Sequence, residues 1–225
     1  MNAWRSRRIS VPDTKVLTLA DLLDLFGPIP AHRIGRSAPP GAATEDDVVE
    51  AAERQDRRYE LVQGVLVEKT MGLYESYLAG LLIEALNGFV RKRRLGIVTA
   101  PDGMLKLAPG LIRIPDVSYI SRSRLAGRRV KGVAMPELAP DLAIEILSEG
   151  NTEREMNQKL DDYFGAGVGL VWYFDPDAGT VSVYSSRQAL TELREGDTLD
   201  GGEVLPGFTF PLAGFFDEPD WLNSP

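Results

Sequence analysis

From Leu73 to Gly96, apolar residues return every three or four positions: Tyr77, Leu81, Leu82, Ala85, Leu86 and Phe89. That is the period of a helix with one buried face, and Gly96 reads as its end. A second helical period runs through NTEREMNQKLDDYFGAGV. There Met156, Leu160, Tyr163 and Phe164 make an apolar stripe, capped by Asn151 or Thr152. The rest of the chain beyond Arg58 reads as strands. Tyr59–Lys69 gives two short strands around a turn at Gly64. Others fall at Ile97–Ala100, Met104–Leu107, Pro115–Ile120 and Leu142–Leu147, and LVWYFDP with TVSVYSS reads as a hairpin. Strands mixed with two long helices predict an α/β (α+β) fold.

Residues 1–56 read as an N-terminal helical and linker extension, 57–217 as the main domain and 218–225 as a tail. The extension holds a short helix, TLADLLDLFG, a Pro/Gly/Ala-rich linker from Pro28 to Ala43, and a helix capped by Thr44. The apolar stretch LPGFTFPLAGFF is expected to pack on the core.

Two strands break their apolar pattern with a carboxylate: Asp116 in IRIPDVSYIS and Glu145 in DLAIEILSEG. An ionised carboxylate inside a buried strand needs a cation, a metal or several donors. Taken singly, each candidate has a plain reading. Asp116 would be a strand-start aspartate accepting backbone bonds behind Pro115, and Glu145 half of a structural ion pair. Glu60 would be a strand-end partner of Arg57 or Arg58, and Lys159 a surface lysine on a helix margin. Taken together they form a set. Hard cations bind through one or two carboxylates plus phosphate oxygens, and a nearby lysine can orient a water and offset developing negative charge. That is equipment for metal-assisted phosphodiester hydrolysis.

Composition favours this chemistry by exclusion. The chain of 225 residues has no cysteine and a single histidine, His32, in the linker. Disulfides, thiol nucleophiles, thiolate zinc sites and a Ser–His triad are therefore set aside. No apolar run approaches a membrane span, and the basic N-terminus lacks the apolar region of a secretory signal. A cytoplasmic location is expected. The net charge of −8 argues against an extensive nucleic-acid-binding surface. Against that stand RKRR (Arg91–Arg94), read as a solvated helix end, and the Arg122–Lys131 loop, read as leaning towards phosphate contacts. Trp172 and Tyr173 read as core, and GDTLDGGE as a hairpin turn.

Four segments, RYELVQGVLVEK, RIPDVSYIS, PDLAIEILSEGNT and KLDDYFGAGVGLVWYFDP, resemble in order and spacing the signature segments of a known family. It is the Uma-type (Uma-two) restriction endonucleases, of the PD-(D/E)XK nuclease superfamily. The resemblance runs from about Arg57 to Phe216. It implies a restriction-endonuclease-like mixed sheet flanked by helices, and metal-dependent cleavage of DNA with Mg²⁺ or Mn²⁺. It also implies metal ligands at Asp116 and Glu145, an extra ligand in the Ile146 backbone carbonyl, and Glu60 as the preceding acid. The superfamily lysine two residues after the second acid is absent, since Leu147 stands there, and the family pattern points instead to Lys159. Where many relatives carry a histidine at the start of the long helix, this chain offers Glu75 or Tyr77. The oligomeric state stays open, a homodimer included. A second reading is a non-catalytic nucleic-acid or protein binding module on a nuclease scaffold. A third is an enzyme acting on another phosphorylated substrate.

Overall fold

A computed structural model describes residues 16–217. The basic N-terminal stretch and the tail 218–225 lie outside the described residues. In chain order the elements are α1 (Leu19–Phe26), a 3-10 turn (Ala31–Arg33), α2 (Glu45–Arg54), β1 (Tyr59–Val62), β2 (Val65–Glu68), α3 (Leu73–Arg93), β3 (Gly96–Thr99), β4 (Leu105–Ala108), β5 (Leu111–Arg113), β6 (Val117–Ser121), α4 (Arg122–Leu125), β7 (Leu142–Ile146), α5 (Glu153–Gly165), β8 (Leu170–Asp175), β9 (Thr180–Tyr184), β10 (Leu190–Arg194), β11 (Thr198–Asp200) and β12 (Thr209–Pro211).

The main sheet has the order β10-β9-β8-β7-β6-β3. β7 and β8 run parallel, with α5 as the crossover that parallel neighbours require. The other neighbours are antiparallel, so the sheet is mixed, as the sequence led one to expect. β7 is the central strand and is buried along its whole length. Its Leu142, Ile144 and Ile146 pack with Leu78, Leu82 and Leu86 of α3. On the opposite face Ala143 meets Met156, Leu160 and Tyr163 of α5. The strand alternation therefore turns Glu145 towards α5.

A second sheet, β2-β1-β5-β4, is antiparallel. Its first hairpin turns on Gln63 and Gly64, both at positive φ (49° and 72°). A two-residue connection with that backbone matches the twist of the flanking strands. A side chain at Gly64 would also meet the Gly41 carbonyl oxygen at 2.4 Å. The chain passes from the second sheet to the first through Ile114, Pro115 and Asp116. Pro115 has no N–H to donate, and here no ladder needs one. The expected strand from Pro115 thus begins at Val117, and Asp116 stands just ahead of it.

Two details of the long helix differ from the sequence reading. α3 stops at Arg94, which takes the left-handed cap conformation (φ 55°), and Gly96 already belongs to β3. Its buried line is Leu78, Ala79, Leu82, Leu86 and Val90, while Tyr77 is 40% exposed. The reason is that α3 carries apolar residues nearly all round. Leu81, Ala85 and Phe89 are covered from another side by a core that includes Leu205, Phe208, Leu212 and Phe215. The apolar C-terminal stretch packs there as expected.

Residues 17–54, read from sequence as an extension, are joined to the second sheet and to α5. Phe26 is fully buried against Val62, Val65 and Val67. Val48 and Ala51 of α2 pack on Tyr59 and Leu61 of β1. The supposed linker bonds to the β1–β2 turn through the N–H groups of Gly41 and Ala43, both donating to the Gly64 carbonyl.

Candidate active site

Three of the four chemistry-bearing residues are fixed by the two sheets, and the fourth is fixed by α5. Glu60 lies on β1, on the face opposite Tyr59 and Leu61. Asp116 lies at the crossing between the sheets. Because Val117 pairs with Ile144 in an antiparallel register, Asp116 comes opposite Glu145. Lys159 lies one turn beyond Glu155 on α5. All four are buried, and they meet in one cluster.

Glu145 is the hub. Its Oε2 accepts from Lys159 Nζ at 2.8 Å and from Lys69 Nζ at 2.8 Å, and its Oε1 accepts from the Tyr163 hydroxyl. Burial alone would raise its pKa, but the Lys159 and Lys69 charges outweigh that and lower it. Tyr163 is held neutral, first by burial and then by the Glu145 charge.

Glu60 reaches neither Arg57 nor Arg58. Its Oε2 accepts from Arg113 Nη1 at 2.7 Å and its Oε1 from the Ile114 N–H at 3.0 Å, with Lys159 Nζ 3.4 Å away. Arg113 in turn grips Asp162 of α5. Burial would raise the Glu60 pKa, yet Lys159, Arg113 and Lys69 hold it well below the usual carboxylate range.

Asp116 is served differently. Its Oδ2 accepts from the Ile146 N–H at 2.7 Å. Its Oδ1 lies 2.9 Å from Lys69 Nζ, an ion pair that lacks hydrogen-bond geometry, so this buried oxygen has no hydrogen-bond donor. Asp116 alone among the three acids therefore has a raised pKa; burial dominates, Lys69 opposes it and the Glu145 charge adds to it.

Sequence reasoning missed three cations, two of them buried and Lys69 partly so. Lys69, just after β2, bridges Asp116 and Glu145. Arg113 clamps Glu60 to α5. Arg33, on the 3-10 turn of the supposed linker, donates to the Glu68 and Gly150 carbonyls and pairs with both oxygens of Glu155. It thus ties the residue before Lys69 to the first turn of the helix that carries Lys159. The signals were faint. Lys69 ends a strand where a solvated lysine is ordinary, and Arg33 sits among Pro and Gly with no periodicity.

A narrow pocket opens on the cluster, lined by Arg33, Lys69, Thr70, Met71, Glu75, Asp116, Ile146, Ser148, Asn151 and Lys159. Of the two residues read in place of a histidine, Glu75 is on its wall; Tyr77 stacks on Tyr74 outside it. His32 is exposed. A roomier groove, about 660 Å³, lies beyond Ser148 and Asn151 and is walled by Glu149, Glu153, Asp175, Asp177 and Glu192 against a single arginine, Arg194. Such walls repel phosphate, so this groove is the wrong place for the chemistry despite its size.

The arginines separate. Arg91, Arg94 and Arg122 gather at the C-terminal end of α3, about 24 Å along the helix from Glu75 at the helical rise. In the loop, Arg124 pairs with Asp141, and Arg128 and Arg129 bond to the carbonyls of Glu137 and Lys131.

The donor set can be tested for a divalent cation. Among the described residues, no group of three or more His, Cys, Asp or Glu side chains is gathered as a metal cage, because Glu60 is taken up by Arg113 and Lys159. Two carboxylate oxygens, Asp116 Oδ1 and Glu145 Oε2, nevertheless converge on one cation position, which Lys69 Nζ fills at 2.9 and 2.8 Å. Two carboxylates, with water and phosphate completing the shell, suit Mg²⁺. The residues fit the ion.

This ion-paired cluster has a pH signature. Glu60 and Glu145 have folded pKa values below the ordinary carboxylate value of 4.5. Their contribution to stability is complete above that value and is lost as pH falls through the depressed folded values. Asp116 works in the opposite sense and in a higher window, since protonating a carboxylate with a raised folded pKa relieves a cost. The midpoint of thermal unfolding is therefore expected to hold or rise slightly as pH falls from 7 to about 5 and to fall below about pH 4.5. A midpoint that shows no fall between about pH 4.5 and 3 would contradict this arrangement.

A mixed sheet with acids converging at the start of one strand and the end of its neighbour defines a restriction-endonuclease-like domain. The chain belongs to the Uma2 family, described as "putative restriction endonuclease", whose model matches residues 46–213. That span takes in α2, which the sequence resemblance had left out. A similar solved structure is that of a "putative nuclease belonging to DUF820" from Anabaena variabilis ATCC 29413. It has a TM-score of 0.64 and 21% identity, covering 72% of this chain and 90% of that one. No curated protein matches. Among the described residues no helix is long and apolar enough to cross a membrane.

Proposed function

We propose that the protein is a metal-dependent endonuclease of the PD-(D/E)XK type that hydrolyses phosphodiester bonds in DNA. The observation that carries this is the convergence of Asp116 Oδ1 and Glu145 Oε2 on a single cation position inside a pocket. Family membership supports a nuclease, and the printed title of the similar structure agrees. In this reading Asp116 and Glu145 hold Mg²⁺ or Mn²⁺, with the Ile146 carbonyl as the third protein oxygen. Bound there, the ion would polarise the scissile phosphate and lower the pKa of a water. The remaining work falls to the chain itself. The Ile146 N–H fixes one oxygen of Asp116 and turns the other towards the cation position that Lys69 faces. Lys159 and Tyr163 fix Glu145, and Lys159 places a positive charge beside the reacting centre, where it can orient water and offset negative charge. Glu60 and Arg113 hold Lys159 and α5 in place.

The test is conversion of supercoiled plasmid DNA in Mg²⁺ or Mn²⁺, with EDTA as control. Ion-dependent nicking is expected; no conversion in either ion overturns the proposal. One observation favours a second reading, a non-catalytic binding module: every acid of the cluster already has an internal cation. That reading predicts DNA retention without cleavage.

A further inference from the structure

Resting on the metal reading above, we propose that Lys69 is the resident cation of the metal site, and that a metal must displace it to bind. The two oxygens assigned to the metal are the two that the Lys69 ammonium touches, at 2.9 and 2.8 Å. Ammonium and metal therefore compete for one place. The contact with Asp116 is a poor one, since Oδ1 receives charge but no hydrogen bond. Exchange breaks one directed bond, that to Glu145 Oε2, and none at Asp116.

Charge balance among the directly touching groups favours the departure of a cation. Glu60, Asp116, Glu145 and Asp162 face Lys69, Lys159 and Arg113, so the cluster is one negative charge from neutral. A dication added to all seven groups would leave a net positive charge in a buried place, which is costly. With the Lys69 ammonium expelled, the same dication leaves the cluster neutral.

Of the three cations, Lys69 is the one free to move. Its side chain is 11% exposed, against 1% for both Lys159 and Arg113. Arg113 is gripped by two carboxylates, and Lys159 is rooted in α5 between Glu60 and Glu145. Lys69 sits beyond the end of β2, and the pocket beside it is lined by Thr70, Met71, Glu75 and Ser148. An unbranched four-carbon stem can swing its ammonium into that space.

The experiment is calorimetric titration of the whole chain with Mn²⁺ alone, comparing wild type with Lys69→Met. The variant keeps the unbranched stem as far as Cε and loses the ammonium. It is expected to bind Mn²⁺ at least about tenfold more tightly, and saturating Mn²⁺ should raise its unfolding midpoint more than that of wild type, as ligand linkage requires. Lys69→Gln is the second variant should Lys69→Met not fold. Equal or weaker Mn²⁺ binding by the neutral variant overturns the proposal. Asp116→Asn and Glu145→Gln separate the two claims. Loss of Mn²⁺ binding in both, with no gain from Lys69→Met, sinks the displacement alone. Mn²⁺ binding that survives both replacements, or is absent from wild type and variant alike, sinks the metal reading and this proposal with it.

Discussion

Asp116→Asn is expected to lower metal-dependent plasmid cleavage by about 10²–10³-fold, the range for removing one preorganised charge-stabilising group, while the fold survives. Asparagine matches aspartate in shape, and its carbonyl can still accept the Ile146 N–H bond. What it removes is the charge on Oδ1. By its own titration that charge costs stability, because burial raises the Asp116 pKa above its ordinary value, although it also helps to hold the Lys69 ammonium. By linkage, a carboxylate with a raised folded pKa costs stability at neutral pH, and a neutral isostere relieves that cost. Activity should therefore fall while the thermal midpoint holds or rises. A structural aspartate would give the opposite pair, lost stability and unchanged chemistry. Undiminished cleavage by the variant, measured beside circular dichroism of the same sample, would remove Asp116 from the site.

How much of this was legible in the sequence follows from where each residue sits. Asp116 and Glu145 were visible because they interrupt apolar strands; a charge amid β-branched residues is conspicuous. Lys159 was visible only in their company, since a lysine at the edge of an amphipathic stripe is commonplace. The mixed sheet and the β8–β9 hairpin followed from alternation and turn chemistry. Arg113 and Lys69 were not legible because their significance is long-range. Arg113 reaches Glu60 across 53 positions and Lys69 reaches Glu145 across 76, and strand order is what brings them together. Arg33 is further still, 122 positions from Glu155. Proline and glycine hid it, since they remove the periodicity by which burial is recognised, and residues 28–43 looked like a tether for that reason. The end of α3 was misplaced for a local reason: Arg94, not a glycine, adopts the left-handed cap.

Arg113→Ala is expected to destabilise the protein by about 3–5 kcal/mol, the cost of leaving a buried charge without its partner. In a chain of this size that is a drop of about 6–20 °C in the unfolding midpoint. Arg113 is almost wholly buried and holds two carboxylates at once, Glu60 at 2.7 Å and Asp162 at 2.9 Å. Without it Glu60 keeps its burial but loses one of the charges that depress its pKa. Its folded pKa must then rise, so the folded variant takes up a proton at higher pH than the wild type does. The gap in stability between the two should therefore narrow as pH is lowered below about 4.5, the ordinary carboxylate value, which no loss of packing alone would produce. Arg113→Lys should recover only part of the loss, because one ammonium cannot span both carboxylates as a guanidinium fork does. Arg113→Met combined with Glu60→Gln removes the uncompensated charge along with its partner and should recover most of it, as apolar replacement of buried ion pairs does elsewhere. A midpoint within about 3 °C of wild type for Arg113→Ala, or a gap that widens on acidification, would mean that Glu60 is held by Lys159 and the Ile114 N–H without needing Arg113.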